Sequence, residues 1–179
     1  MTEQKNRNKY EFYKTPELVI QKLLENRKLY GKILDPTAGD GAIPKAIREF
    51  GYDNPITTVE IREEEEKKLH VFGDVHIGDF LNWQPDQKYD TIITNPPFIV
   101  AKEIIMKCFE ICSEKGQIIM LLKTAHLECG DRYNFWQNYP VSYLYALSQR
   151  PHFEDDNETD QAAYAWFVWD GTEGTIKVI

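Results

Sequence analysis

Tyr89-Asp90-Thr91-Ile92-Ile93-Thr94-Asn95-Pro96-Pro97-Phe98 is the stretch on which the fold turns. Residues 89–94 have the β-branched, apolar character of a buried strand. The strand must stop at Asn95: Pro96 and Pro97 have no backbone N–H to continue a ladder, and each drives its predecessor toward extended conformations. What remains is a loop of acceptors at the carboxyl end of a strand. The Asn95 side-chain oxygen and the Pro96 carbonyl can converge on one NH2 group, while Phe98 offers a flat apolar face to a ring that bears it. A Pro-rich turn that merely closes a strand is written with the same residues, so the flanking sequence has to decide.

On both sides of this stretch, strand and helix patterns alternate. Upstream, Thr15-Pro16 reads as N-cap and first helical residue of ELVIQKLLENR. Lys32 to Leu34, Pro55 to Ile61 (PITTVEI) and Val75 to Ile77 read as strands, separated by helical patterns over Ile43 to Phe50 and, strongly acidic, Glu63 to Leu69. Downstream come an amphipathic helix from roughly Val100 to Cys112 and the strand Gln117 to Leu122 (QIIMLL), continuously apolar as a strand covered on both faces must be. VSYLYALS, AYAWFVWD and TIKVI then read as three strands with few helical signals between them. The expected fold is α/β: a doubly wound, mostly parallel sheet of about seven strands with an antiparallel C-terminal portion. Such sheets bind ligands outside the carboxyl ends of their strands.

The 179 residues, 42% of them hydrophobic, suffice for one core. The expected organisation is a polar arm over residues 1–10 and a single domain over 11–179. No apolar run reaches the length of a membrane span, and MTEQKNRNKYEFYK lacks the apolar core of a signal peptide, so a cytoplasmic protein without a membrane partner is expected. Cys108 and Cys112 lie one helical turn apart, and no paired Cys or His motif accompanies Cys129 or His126; no metal is expected. A net charge of −8 opposes a broad electrostatic grip on nucleic acid and leaves room for a local one. Lys5, Arg7, Lys9 and Lys14 mark the arm, and Lys123, Arg132 and Arg150 form a second scatter of cations. Acids gather at Glu63 to Glu66 and Glu154 to Asp160.

Residues with chemistry recur at successive strand ends. Asp35-Pro36-Thr37-Ala38-Gly39-Asp40-Gly41 follows the first strand, with glycines suited to a tight turn and to close approach of a ligand at a helix N-terminus. Glu60 ends the next strand about twenty residues on, where an acid in nucleotide-binding sheets accepts ribose hydroxyls. Gly78-Asp79-Phe80 follows the third, offering an acceptor for an amino group and a ring to stack on a base. No phosphate-binding lysine is present, and Asp35, Asp40, Glu60 and Asp79 would repel a pyrophosphate. A cofactor carrying an ammonium and a sulfonium fits better, and S-adenosylmethionine has both; Asp35 could pair with its ammonium side.

With Tyr13-Lys14-Thr15-Pro16, the Asp35 to Gly41 loop, Glu60, Gly78-Asp79-Phe80 and Asn95-Pro96-Pro97-Phe98 in this order, the chain resembles the amino-group DNA methyltransferases of the N6-adenine type. These belong to the class I Rossmann-like superfamily, and the compact form is similar to those of bacteriophages. The resemblance runs from about Glu11 through Trp169 and weakens after Lys123. It implies that residues 11–179 form one methyltransferase domain. Tyr13, Thr15 and Pro16 would border the methionine carboxylate of S-adenosylmethionine. Asp35, Pro36, Thr37, Gly39 and Gly41 would cradle its methionine and ribose portion, Glu60 its ribose hydroxyls, and Asp79 with Phe80 its adenine, with Ile61 and Asn95 also among the cofactor-binding residues. Asn95, Pro96, Pro97 and Phe98 would be catalytic, holding an adenine amino group in DNA.

The sizeable target-recognition region of the DNA-specific members is not expected within these 179 residues. Recognition would fall to the arm before Tyr13, to Lys123 to Tyr139 and to Arg150 to Asp160, with His152 or Phe153 of Arg150-Pro151-His152-Phe153 beside the target pocket. Methylation of an adenine or guanine amino group in RNA, or of a protein glutamine, uses similar loops, although the aromatic residue is more typically Tyr in the glutamine case. A non-catalytic cofactor-binding subunit, with a partner subunit or a second copy supplying DNA contacts, is the alternative from another class.

Overall fold

The computed structural model describes residues 14–128, 130–149, 151 and 162–174. Its elements are α1 (Glu17–Asn26), β1 (Ile33–Asp35), α2 (Ala42–Glu49), β2 (Ile56–Glu60), α3 (Glu66–Leu69), β3 (Asp74–Ile77), β4 (Tyr89–Thr94), α4 (Ala101–Ile111), β5 (Cys112–Lys123), α5 (Tyr133–Asn138), β6 (Tyr143–Ala146) and β7 (Tyr164–Trp169). The strands form one sheet in the order β3-β2-β1-β4-β5-β7-β6. The first five are parallel; β7 pairs antiparallel with both β5 and β6. This is the doubly wound, mostly parallel seven-stranded sheet read from the pattern. The strand order reverses direction between β1 and β4, and the crevice for a ligand opens at that switch point.

Alternation along the strands builds two cores. In β5, Ile118, Met120 and Leu122 point to one face with Ile104, Ile105 and Cys108 of α4 and Phe135 and Trp136 of α5. Ile119 and Leu121 point to the other, with Ile20, Leu23 and Leu24 of α1 and Ile43 and Ile47 of α2. Trp166 of β7 is fully buried and donates its indole N–H to the Val19 carbonyl (3.1 Å), locking α1 against the sheet.

At the end of α1, Arg27 is held by two acceptors. Its Nε donates to Gln117 Oε1 (2.7 Å) and its Nη2 meets Asp170 Oδ2 at 2.6 Å. The Gln117 amide passes the network on to the Lys28 carbonyl and the Thr91 hydroxyl. One guanidinium thus ties α1 to β5 and to the end of β7. Removing one partner of a mostly buried pair strands the other, so Arg27→Met should cost about 3 kcal/mol. Urea unfolding should detect this as a lower midpoint at unchanged slope.

Several boundaries differ from the sequence expectations. Pro16 is extended (φ −61°, ψ 136°) and stands at the N-cap, so α1 begins at Glu17, and the Thr15 side chain makes no capping bond. Strand β5 starts five residues before Gln117, at Cys112, which pairs with Tyr89; the ladder then shifts register, and residues 113–116 stand between that pair and the next, Thr91 with Gln117. Cys108 and Cys112 therefore sit on different elements. Helix α5 lies where no helix is expected: at six residues it is too short to display a period. It packs Phe135 and Trp136, from within the Lys123 to Tyr139 segment, into the core. The arm over 1–10, Tyr13, Cys129, Arg150, His152, Phe153, the Glu154 to Asp160 acids and the TIKVI strand lie outside the described residues. Among those described, no helix is long and apolar enough to cross a membrane.

Candidate active site

The loops after β1, β2, β3 and β4 surround a cavity of about 230 Å³. Thr15, Pro36, Thr37, Gly39, Glu60, Ile61, Asp79, Phe80, Asn95 and Pro97 line it. Pro36 and Pro97, 61 positions apart, both reach it because their strands are neighbours in the sheet, with Leu34 of β1 in register with Ile92 of β4. The Thr37 and Thr94 hydroxyls, 2.6 Å apart, join the loops that follow these two strands.

The loop after β1 is a backbone device. Gly39 and Gly41 have φ of 60° and 86°, left-handed values that glycine adopts without strain. Gly39 donates its N–H to Glu60 Oε2 (2.7 Å) and faces the cavity. Gly41 faces elsewhere: a Cβ there would lie 3.0 Å from the Phe72 ring, so its lack of a side chain serves packing at the start of α2. Glu60 is nearly buried, and its other oxygen accepts from the Arg62 N–H (3.0 Å) and Arg62 Nε (2.9 Å). The carboxylate is therefore oriented before any ligand arrives. Each of its oxygens has two lone pairs, which leaves capacity for ribose hydroxyls.

Asp35 lies beneath this floor, 1% exposed and outside the cavity wall. One oxygen accepts from the Thr37 N–H (3.3 Å); the other, Oδ2, has no hydrogen-bond partner among the described residues. Burial pushes its carboxyl up to about 7, against the pull of the Thr94 hydroxyl and the Thr37 amide; Glu60 and Asp40 add to the rise. A buried acid with an unsatisfied oxygen under a cavity is suited to a cationic ligand.

Asp79 turns back on its own loop, accepting from the Leu81 N–H (2.9 Å) and Asn82 Nδ2 (3.0 Å). Phe80 is 3% exposed: only part of its ring forms cavity wall, and the rest is core. Ile61, 40% exposed, contributes a projecting apolar surface.

Asn95 donates from Nδ2 to Thr15 Oγ1 (3.1 Å). That bond orients the amide, turning its nitrogen to Thr15 and its oxygen away. Phe98 does not line the cavity. Its ring neighbours those of Tyr164 and His126, at 5.9 Å and 6.1 Å between centroids, with Lys123 Nζ at 5.3 Å from its own. Burial, with the charges of Arg132 and Lys123, lowers His126 to about 4, so it is neutral at pH 7. Pro16, Gly41 and Pro96 also stand outside the cavity lining.

Arg62, Leu81, Val100 and Ile104 line the cavity without having been singled out in the sequence. Arg62 had a weak signal, a cation two residues after Glu60. The three aliphatics had none, since their periodicity reads as core.

The donors and walls suit S-adenosylmethionine: a fixed carboxylate for ribose, glycine-supported backbone, apolar surface for a base and a buried acid for the cationic end. Comparison with known proteins agrees with that chemistry. A family model, the methyltransferase small domain, matches residues 10–129. A type II methyltransferase, M.CvrRI, of Paramecium bursaria Chlorella virus XZ-6E is 35% identical over 116 residues, covering 53% of this chain and 31% of that protein. The type II methyltransferase M.TthHB8I of Thermus thermophilus is 32% identical over 74 residues, 41% of this chain and 17% of that protein. The chain thus spans less than a third of either relative's length. Among solved structures, a candidate RNA methyltransferase from Pyrococcus horikoshii superposes with a TM-score of 0.69 at 18% identity, over 88% of this chain and 86% of that one. At that identity, the likeness is one of fold.

Proposed function

The chain belongs to the methyltransferase small domain family, and from that premise we propose that it transfers a methyl group from S-adenosylmethionine to the exocyclic amino group of adenine in DNA. The observation that carries the reading is Asn95: it ends β4 at the switch point, lines the cavity that Glu60 and Gly39 also line, and is oriented by Thr15. Support for DNA comes from the two curated relatives, both type II methyltransferases.

When bound, S-adenosylmethionine supplies an electrophilic methyl carbon on a sulfonium sulfur. The chain's own residues hold the nucleophile. Asn95 Oδ1 and the Pro96 carbonyl accept the two N–H bonds of the amino group, which weakens conjugation of its lone pair with the ring and lets nitrogen attack. As the N–C bond forms, the S–C bond breaks, and the proton leaves to solvent, because Asn95 cannot act as a base at neutral pH. Catalysis is then orientation plus stabilisation of the positive charge that develops on nitrogen. Phe98 stacks on the base, which in a duplex must first leave the helix at a cost of a few kcal/mol. Asp79, Phe80 and Ile61 receive the cofactor's adenine, and Glu60 its ribose.

Radiolabelled methyl transfer to duplex DNA, single-stranded DNA and RNA tests the substrate. Label at N6 of adenine in DNA is expected. Label confined to RNA would replace DNA as the substrate. If calorimetry finds no binding of S-adenosylmethionine or its demethylated product, the enzyme reading fails altogether.

A further inference from the structure

Lys107 is the one lysine among the buried residues described, 8% exposed on α4 and one turn beyond the cavity residue Ile104. Its ammonium donates to the Leu81 carbonyl (2.8 Å) and to the Trp83 carbonyl, and lies 5.3 Å from the centroid of the Phe80 ring. No carboxylate forms an ion pair with it among the described residues. A position that needed only bulk would be filled as well by methionine, without the desolvation of an ammonium.

What those contacts hold is one wall of the cavity. Phe80 and Leu81 belong to it, and the loop that carries them is closed from two sides. From the cavity side, the Asp79 carboxylate gathers the Leu81 N–H and the Asn82 amide, and Trp83 N–H returns to the Asp79 carbonyl (3.1 Å). From behind, Lys107 takes two further carbonyls of the same turn, which have no strand or helix to satisfy them. Charge-assisted bonds of this kind are stronger than neutral ones, and a cation over a ring adds to them.

We infer that Lys107 is a positioning residue for the cofactor's adenine, holding the 79–83 loop so that Phe80 and Leu81 stand ready as its wall. The inference rests on the reading of this cavity as a cofactor site. Preorganisation of this sort acts on affinity, because a loop already in its bound form has no ordering cost left at binding. It leaves the amino-group end of the site alone, since Asn95 is held by Thr15 from α1's side of the sheet.

The test compares wild type, Lys107→Met and Lys107→Gln by calorimetry with adenosine and with the demethylated cofactor as probes. Hydrogen exchange at residues 79–83 and methyl transfer at saturating S-adenosylmethionine are measured alongside. With Lys107→Met, affinity for both probes is expected to fall roughly tenfold to a hundredfold. Exchange in 79–83 should quicken while exchange in β5 stays unchanged. The maximal rate should remain within about threefold of wild type, a split between KM and kcat that a merely structural role would not produce. Lys107→Gln keeps an uncharged amide donor on a shorter stem and should lie between the two; it also serves if the methionine variant does not fold. Wild-type affinity in a folded variant, or an equal loss of maximal rate at saturation, overturns the inference. If wild type itself binds neither probe, the cofactor reading falls first, and the two failures are distinguished.

Discussion

Asn95→Ala is expected to reduce the methyl-transfer rate by roughly a thousandfold, the scale for removing one group that stabilises transition-state charge, while cofactor affinity changes by less than about threefold. The asymmetry follows from position. Asn95 borders the cavity just after β4, whereas Glu60, the proposed ribose carboxylate, ends β2, and Phe80, the proposed adenine wall, follows β3. The same geometry sets a milder companion. Thr15→Val removes one acceptor of Asn95 Nδ2 and weakens the hold on the amide, so activity should fall by about tenfold, the worth of one ordinary hydrogen bond. Single-turnover measurements at saturating cofactor separate chemistry from binding. An Asn95→Ala protein with unchanged turnover would remove Asn95 from the mechanism.

Asp35→Asn should make the ligand-free protein more stable and a worse cofactor binder. Holding a carboxyl at about 7 rather than 3.8 corresponds to about 4 kcal/mol between its protonation states. Between those values the native state binds more protons than the unfolded state, so stability falls as pH rises and the full cost is present above pH 7. Asparagine removes that cost but leaves an amide nitrogen where Asp35 Oδ2 has no partner among the described residues, returning about 1–3 kcal/mol. The net gain at pH 8 is therefore about 1–3 kcal/mol, some 5 °C in Tm, and is gone by pH 5, where the remaining cost of the acid is about 2 kcal/mol. Cofactor binding should run the other way. A cation in the cavity favours the ionised acid, so wild type should release a proton on binding near pH 7, and affinity should decline as pH falls below 7. Calorimetry in two buffers of different ionisation enthalpy reads this release directly. Its absence in wild type, or its persistence in Asp35→Asn, would assign the linkage to another group.

Stability and function are thus set against each other at one residue, as expected where a site keeps a strained or unsatisfied group. Arg27 is the opposite case. Its partners Gln117 and Asp170 are satisfied and distant from the cavity, so its variants should lose stability and keep cofactor affinity.

How much of this was legible beforehand depended on whether a signal was local. The parallel strands were legible because a strand covered on both faces is apolar throughout, as in Ile118–Leu122, and the antiparallel tail because helical periodicity vanishes there. The turn glycines were legible too, since Gly39 and Gly41 both take positive φ. Their purposes were not. Gly41 differs from Gly39 only in facing Phe72, a residue whose proximity is set by the packing of α2. The helix over Tyr133–Asn138 was hidden because six residues show no period, and the early start of β5 because residues 113–116 lie in a register shift between two paired positions and carry no strand alternation.

The sequence by itself determined the order of the elements, the sheet's class and the residue types at each strand's end, because periodicity and proline and glycine chemistry act over a few neighbours. Only the tertiary structure decided which of those residues meet. The pairing of β1 with β4 brings Thr37 to Thr94, and the docking of α1 through Trp166 brings Thr15 to Asn95 across 80 residues of chain. Burial decided the rest: it sank Asp35 beneath the cavity floor, raising its carboxyl to about 7, and it turned Lys107 from a surface lysine in a helical pattern into the back support of a loop. Distance and desolvation depend on the whole packed core, and no local window of sequence contains them.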